Sequence, residues 1–288
     1  MKVKSATEQF FFTTVKIESI YKEGQVGTGT GFIFRYKNSE NTTSEFLVTN
    51  KHVINDPKIG RSTHGFFTFI TGDDFNAEKP KLGYGFRSII DSDYWVNAWF
   101  GHPNDDVDVA VFVLGPTINY IQNDLNQPIF CKGIPSELTV SEEVLENLDA
   151  IEDIYFVGYP NGIWDKVNLL PIVRKGTTAT PLQVDYEGNP KFLIDASVFG
   201  GSSGSPVFVH NKTASNFPEF MFVGIIAAVY QAKSLSEIIQ VPIPTNANFV
   251  TEIINSQMID LGIVYKSKTV IETIEAFLRY SSQAHLIK

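Results

Sequence analysis

Short apolar or alternating runs follow one another along most of this chain, at the spacing of an all-β protein. In the first half they are Phe10–Tyr21, Gly29–Lys37, Glu45–Ile54, Gly65–Ile70, Tyr84–Ile90, Trp95–Phe100 and Val107–Leu114. In the second half they are Ile154–Tyr159, Ile172–Thr180, Phe192–Ala196, Pro206–His210, Phe220–Tyr230 and Ile238–Ile243. The runs are too short for helices of ordinary length and suit strands that bury one face or both. They fall into two clusters, separated by residues 115–152. That connection contains Gly115-Pro116 and an acidic stretch, Glu137 to Asp153, with no basic residue. Such a stretch reads as a solvated loop or a short helix rather than a site for a basic partner.

Helical periodicity is confined to the end of the chain. Phe249, Val250, Ile253, Ile254 and Met258 form one apolar stripe, with Thr245 or Asn246 as N-cap and Gly262 as stop. Val270, Ile271, Ile274, Phe277 and Leu278 form a second stripe. Both helices are expected to pack on the β body; docking of a partner by the last one is left open. The N-terminal segment, with Lys2 and Lys4 and an apolar patch interrupted by Thr13, Thr14 and Lys16, reads as a first strand. No run approaches the ~18 apolar residues of a membrane helix.

Composition narrows the function classes. A net charge of −9 gives no electrostatic reason to expect nucleic acid or an anionic membrane as partner. Cys131 is the single cysteine, which excludes an internal disulfide and points to a reducing, cytoplasmic setting. No histidine stands at metal-ligand spacing, so neither metal nor cofactor is expected. The alternating glycines of "GTGTGF" lack the spacing of a phosphate-binding loop and read as the start of a strand.

Three residues stand apart from this background. His52 follows the apolar strand of "FLVTNKHVI", at a strand exit within reach of a cleft, and histidine is the residue type suited to proton transfer near neutral pH. Asp108 opens the apolar strand of "DDVDVAVFVL", whereas Asp105 and Asp106 are ordinary loop carboxylates. Half-buried in that setting, Asp108 must be hydrogen-bonded. Ser203 lies in "VFGGSSGSPVFVH", where a glycine-rich turn runs straight into a strand. His, Asp and Ser in that chain order form one of the known arrangements of a hydrolytic triad. Histidine and acid fall in the first cluster and serine in the second.

"LVTNKHV", "DVDVAVF" and "GGSSGSPVF" resemble the three catalytic blocks of chymotrypsin-fold serine proteases, most closely the trypsin-like branch typified by the HtrA/Deg proteases. "GTGTGFIF", "FVGYPNG" and "VRKGTTAT" resemble supporting segments of the same branch, and the likeness spans about residues 20–245. It implies two six-stranded antiparallel β-barrels with C-terminal helices and no PDZ module. The first barrel would span 8–118, the connection 119–152, the second barrel 153–246 and the helical extension 247–288.

The implied activity is endopeptidase cleavage of a protein or peptide substrate. Ser203 is the nucleophile because only Gly201-Ser202-Ser203-Gly204 fits the motif; His52 is the base and Asp108 orients it. The backbone N–H groups of Gly201 and Ser203 would form the oxyanion hole. Ser197, Val198, Phe199, Ile226, Ala227, Ala228 and Val229 would line a pocket without charge, favouring small or aliphatic residues. Asp195, at the end of "FLID", reads as structural. Ser202 stands where the digestive branch carries an aspartate that meets a freed N-terminus, which implies activation without N-terminal cleavage. Gating by a regulatory protein or a homo-oligomer is open, and the alternative function is a catalytically silent binding protein of the same fold.

Overall fold

A computed structural model describes residues 2–75, 78–212, 218–234, 237–242 and 257–287. The first half contains strands β1 (Thr14–Ile20), β2 (Val26–Lys37), β3 (Thr43–Thr49), β4 (Asn55–Asp56), β5 (Gly60–Arg61), β6 (His64–Gly72), β7 (Pro80–Ile90), β8 (Trp99–Gly101) and β9 (Ala110–Val113). The connection carries the short β10 (Ile129–Phe130) and β11 (Ile134–Pro135). The second half contains β12 (Asp153–Gly158), β13 (Ile172–Thr178), β14 (Lys191–Asp195), β15 (Pro206–His210), β16 (Phe220–Ser234), β17 (Glu237–Pro242) and β18 (Gln257–Lys266).

The strands form two main sheets. One has nine strands, in the order β10-β6-β1-β2-β3-β9-β8 with β7 on β6 and β11 on β2. The other closes on itself: β15-β12-β13-β14-β18-β16 returns to β15, and β17 pairs with β16 outside the ring. The second half is therefore a closed six-stranded barrel. In the first half, where six strands in a barrel were expected, a larger sheet is found with no closing pair among the described residues. "GTGTGF" falls inside β2, in register with β1 from Thr14↔Phe32 to Ile20↔Val26, as a strand and not a phosphate loop.

Two local expectations change. Ser5 accepts from Glu8 N–H, while the Glu8 carboxylate reaches back to the Ser5 N–H. This capping box satisfies the first-turn donors, so the apolar patch starts as the helix Ala6–Phe10 and the strand begins only at Thr14. At the other end, Met258 and Gly262 lie in β18 rather than in a helix, inside the stretch read as a helical extension. Gly262 sits opposite Ile194 of β14 and Val229 of β16. Ile263 and Val264 are both fully buried, so successive side chains are covered on both faces of the sheet. Phe249, Val250, Ile253 and Ile254, like Thr245 and Asn246, lie outside the described residues.

The second stripe does form a helix, Ser267–Tyr280, with Val270, Ile274 and Leu278 buried. Phe277 lies 5.9 Å from Phe46 and 5.8 Å from Phe100, between ring centroids, so the helix covers the edge of the first sheet. The same core cluster contains Phe32, Phe34 and Val48 from the first half and Val157, Phe208 and Phe222 from the second. Phe10 stacks on Phe208 at 4.3 Å. The halves and the helix thus share one apolar core. Leu278→Ala should accordingly destabilise the whole chain by ~2–5 kcal/mol in urea unfolding; a change below 0.5 kcal/mol (roughly the noise of surface substitutions) would show the helix to be an appendage.

Candidate active site

The register of β3 with β9 brings two strand ends together: Thr49 is paired with Ala110. After Thr49 the chain leaves the sheet through Asn50 and turns into the short helix Lys51–Ile54, which carries His52. Asp108 stands just before β9. Asn50, fully buried, donates from Nδ2 to the Asp108 carbonyl at 2.6 Å. The phenol of Tyr265 in β18 donates to the carbonyl of Asp106 at 2.5 Å. The acid-bearing loop is held from both sides, while the carboxylates of Asp105 and Asp106 face solvent.

Both oxygens of Asp108 engage His52. The His52 backbone N–H donates to Oδ1 at 3.1 Å, and Nδ1 lies 2.5 Å from Oδ2. An ionised carboxylate only accepts, so Nδ1 carries the ring proton and Nε2 is left as acceptor. Nε2 lies 2.7 Å from Ser203 Oγ. His52 and Ser203 are buried, and the Asp108 side chain is 24% exposed. The three residues picked out in the sequence are thus brought into one chain of contacts across the two halves.

The neighbouring serines differ. Ser202 Oγ accepts from Arg174, and buried Ser205 Oγ has no hydrogen-bond partner among the described residues. The serine-bearing turn is fixed by its backbone. Ser202 N–H donates to Phe199 O at 3.0 Å, Ser205 N–H to Ser202 O at 3.0 Å and Gly204 N–H to Ile226 O at 2.9 Å. Gly201 and Gly204 have φ of 79° and 84°, the left-handed region that favours glycine. At Gly204 a Cβ would also lie 1.8 Å from the carbonyl oxygen of Thr30.

Thr30 and Arg174 were not picked out in the sequence. Thr30, in β2, donates from its N–H to Ser203 O at 2.8 Å and from its hydroxyl to Gly201 O at 2.9 Å. Its place in a strand rich in threonine and glycine gave no hint of this. Arg174, in β13, donates to Ser197 O and Ser202 Oγ, and burial lowers its pKa to about 10. An arginine amid the apolar residues of "PIVRKG" was the available signal. Lys51, beside His52, donates to Asn104 O at 2.9 Å, and burial is the main cause lowering its pKa.

The expected pocket residues flank the turn. Ile226, Ala227, Ala228 and Val229 are buried in β16, joined to it through the Gly204 bond. Val198 is buried, while Ser197 and Phe199 are exposed. Asp195 ends β14 with its side chain exposed. No helix among the described residues is long and apolar enough to cross a membrane.

A family model described as the trypsin-like peptidase domain matches residues 29–213. No curated protein sequence matches the chain. Among solved structures, the thermostable serine protease AL20 from an extremophilic microorganism is 14% identical with a TM-score of 0.44, covering 92% of this chain and 97% of its own. The active form of the Rv3671c protease of M. tuberculosis is 15% identical with a TM-score of 0.43, covering 97% and 83%. An inactivated protease paralogue of the scabies mite is 13% identical with a TM-score of 0.45, covering 94% and 96%. These likenesses add nothing to what the strand pairing has already shown.

Two glycines test the geometry of the turn. Gly188 has φ of 71° and open space around its missing Cβ, so Gly188→Ala should cost about 1 kcal/mol of backbone strain. Gly204→Ala meets the Thr30 carbonyl as well and should cost at least ~2 kcal/mol more. Equal unfolding midpoints for the two variants would contradict the close approach of β2 to the turn.

Proposed function

The chain belongs to the trypsin-like peptidase family, and from that premise we propose that it is an endopeptidase acting through Ser203, His52 and Asp108. The chain is a serine protease by family; the assignment of roles to residues rests on the buried contacts from Asp108 to His52 to Ser203. Ser203 Oγ attacks the scissile carbonyl as its proton passes to His52 Nε2. The resulting imidazolium stays paired with Asp108, which remains ionised. The oxyanion of the tetrahedral intermediate is held by the N–H groups of Gly201 and Ser203, each such donor being worth ~10²–10³ in rate. His52 returns the proton to the leaving amine. Water then attacks the acyl-enzyme with His52 as base, releasing the acid and restoring Ser203.

The substrate is a protein or peptide, and the residue before the cut is small or aliphatic. Ile226 to Val229 offer no charge to compensate a lysine or arginine for its lost hydration. The exposure of Asp195 at a strand end supports its structural reading. With a serine at 202, activity needs no freed N-terminus; control by a partner protein or by self-association would act on the loops. Cys131 is partly buried, and burial pushes its pKa up to about 12, so little of it is in the reactive thiolate form.

Labelling with a fluorophosphonate probe tests the assignment. Ser203 should be the modified residue, and Ser203→Ala should remove labelling and ~10⁶ of turnover. Asp108→Asn should cost ~10⁴ by offering the wrong tautomer, and Ser205→Ala should retain most activity. A wild-type chain that never labels, alone or with cell extract, would favour the silent binding fold. For specificity, cleavage of a peptide library should be dominated by alanine, valine or leucine before the cut. A preference for lysine or arginine would implicate Asp195 instead.

A further inference from the structure

Arg174 is a group beside this site whose cost has no counterpart in the mechanism. It stands in β13 opposite Phe156 of β12, and no carboxylate lies within ion-pair distance of it among the described residues. Its Nε is buried without a hydrogen-bond partner. Burial opposes the charge, as its lowered pKa records. A guanidinium partly withdrawn from water without a counter-ion is unfavourable, and an apolar side chain of similar length would fill the space at less cost. What the guanidinium does gain is specific. One terminal nitrogen donates to the carbonyl of Ser197 and the other to the hydroxyl of Ser202. Its plane lies against two rings, 4.7 Å from the centroid of Phe156 and 5.6 Å from that of Phe199.

These contacts enclose one segment. Ser197, Phe199 and Ser202 are its touched residues, and between the last two lie Gly200 and Gly201, which have no side chains to hold their peptide planes. Gly201, at positive φ, supplies one of the N–H groups assigned above to the oxyanion. From the opposite side, Thr30 bonds to Gly201 O. The Ser202 N–H to Phe199 O bond spans the glycine pair, and Arg174 and Thr30 add side-chain anchors to the carbonyls on either side of it.

We infer that Arg174 is a positioning residue that braces the Ser197–Ser202 segment, so that the N–H groups facing the substrate carbonyl are ordered before substrate arrives. The inference rests on the proposed catalytic roles of Gly201 and Ser203.

Three variants and two readouts test it. Arg174→Met should lower kcat by ~10²–10³, the range for a lost oxyanion donor, with KM changed by less than roughly threefold, because the brace acts on the transition state. Arg174→Lys, which keeps a cation but only one point of attachment, should recover part of that loss. Arg174→Ala should regain at least about tenfold in kcat with millimolar methylguanidinium, as expected when the missing group supplies preorganised electrostatics. A merely structural arginine would give neither the kcat-only loss nor the rescue. Amide hydrogen exchange over residues 199–204 should quicken in Arg174→Met and slow again in Arg174→Lys, and this arm does not depend on catalysis. Unchanged exchange, or a kcat for Arg174→Met within threefold of wild type (well below the ~10² of a lost donor), overturns the brace. If Arg174→Met does not fold, Arg174→Lys carries the test, and wild-type kcat and exchange in it overturn the two-point attachment. If the wild-type chain neither labels nor cleaves, the peptidase reading fails by itself, and exchange alone decides whether Arg174 braces the segment.

Discussion

The hydrogen bonds of Thr30 hold the two halves in register. This one residue of β2 donates to the carbonyls of Ser203 and Gly201, and its own carbonyl accepts from Thr49 Oγ1 at 2.7 Å. The N–H of Tyr159, at the end of β12, reaches the Thr30 hydroxyl at 3.1 Å. Strands of both halves and the serine-bearing turn therefore meet at one fully buried side chain. The 2.7 Å separation of His52 and Ser203 depends on it, because His52 follows the strand that contains Thr49. A buried polar cluster of this kind tolerates little displacement, since any group left unpaired there loses water without gaining a partner.

Around that point the site is assembled from backbone more than from side chains. Asn50 and Tyr265 hold carbonyls of the acid loop; Thr30 and Arg174 hold carbonyls of the serine turn. The apolar core shared by both halves supplies the rigid frame. The helix Ser267–Tyr280 adds to that frame, and its Glu272 meets His102 at 3.3 Å near the acid loop. The C-terminal segment thus contributes both to the core and, through Tyr265, to the placement of Asp108.

The short β runs, the chain order of His52, Asp108 and Ser203, and the last helix could all be read from the sequence. Each rests on local information: period-two or period-3.6 burial, or a reactive residue beside a strand end. β18 could not be read in the same way. Its upstream residues carry a helical stripe, yet Ile263 and Val264 are buried on both faces because β14 and β16 leave a gap that only a strand can close. The opening helix does have a local signal, the Ser5-x-x-Glu8 capping box, which the apolar patch that follows it outweighed in the strand reading.

What the sequence by itself determined was the set of reactive groups, their division between two β-rich halves, and glycine at the two positive-φ positions of the serine turn, Gly201 and Gly204. Which hydroxyl faces the imidazole, and which residues hold the turn, only the tertiary structure decided. Ser202, Ser203 and Ser205 are chemically alike and equally buried, and their hydroxyls differ in what faces them: Arg174, His52 and, among the described residues, no hydrogen-bond partner. Thr30 and Arg174 lie far from Ser203 along the chain and acquire their roles through strand register. A hydrogen bond depends on distance and direction between groups that the fold brings together, and neither quantity exists in the sequence until the sheets have formed.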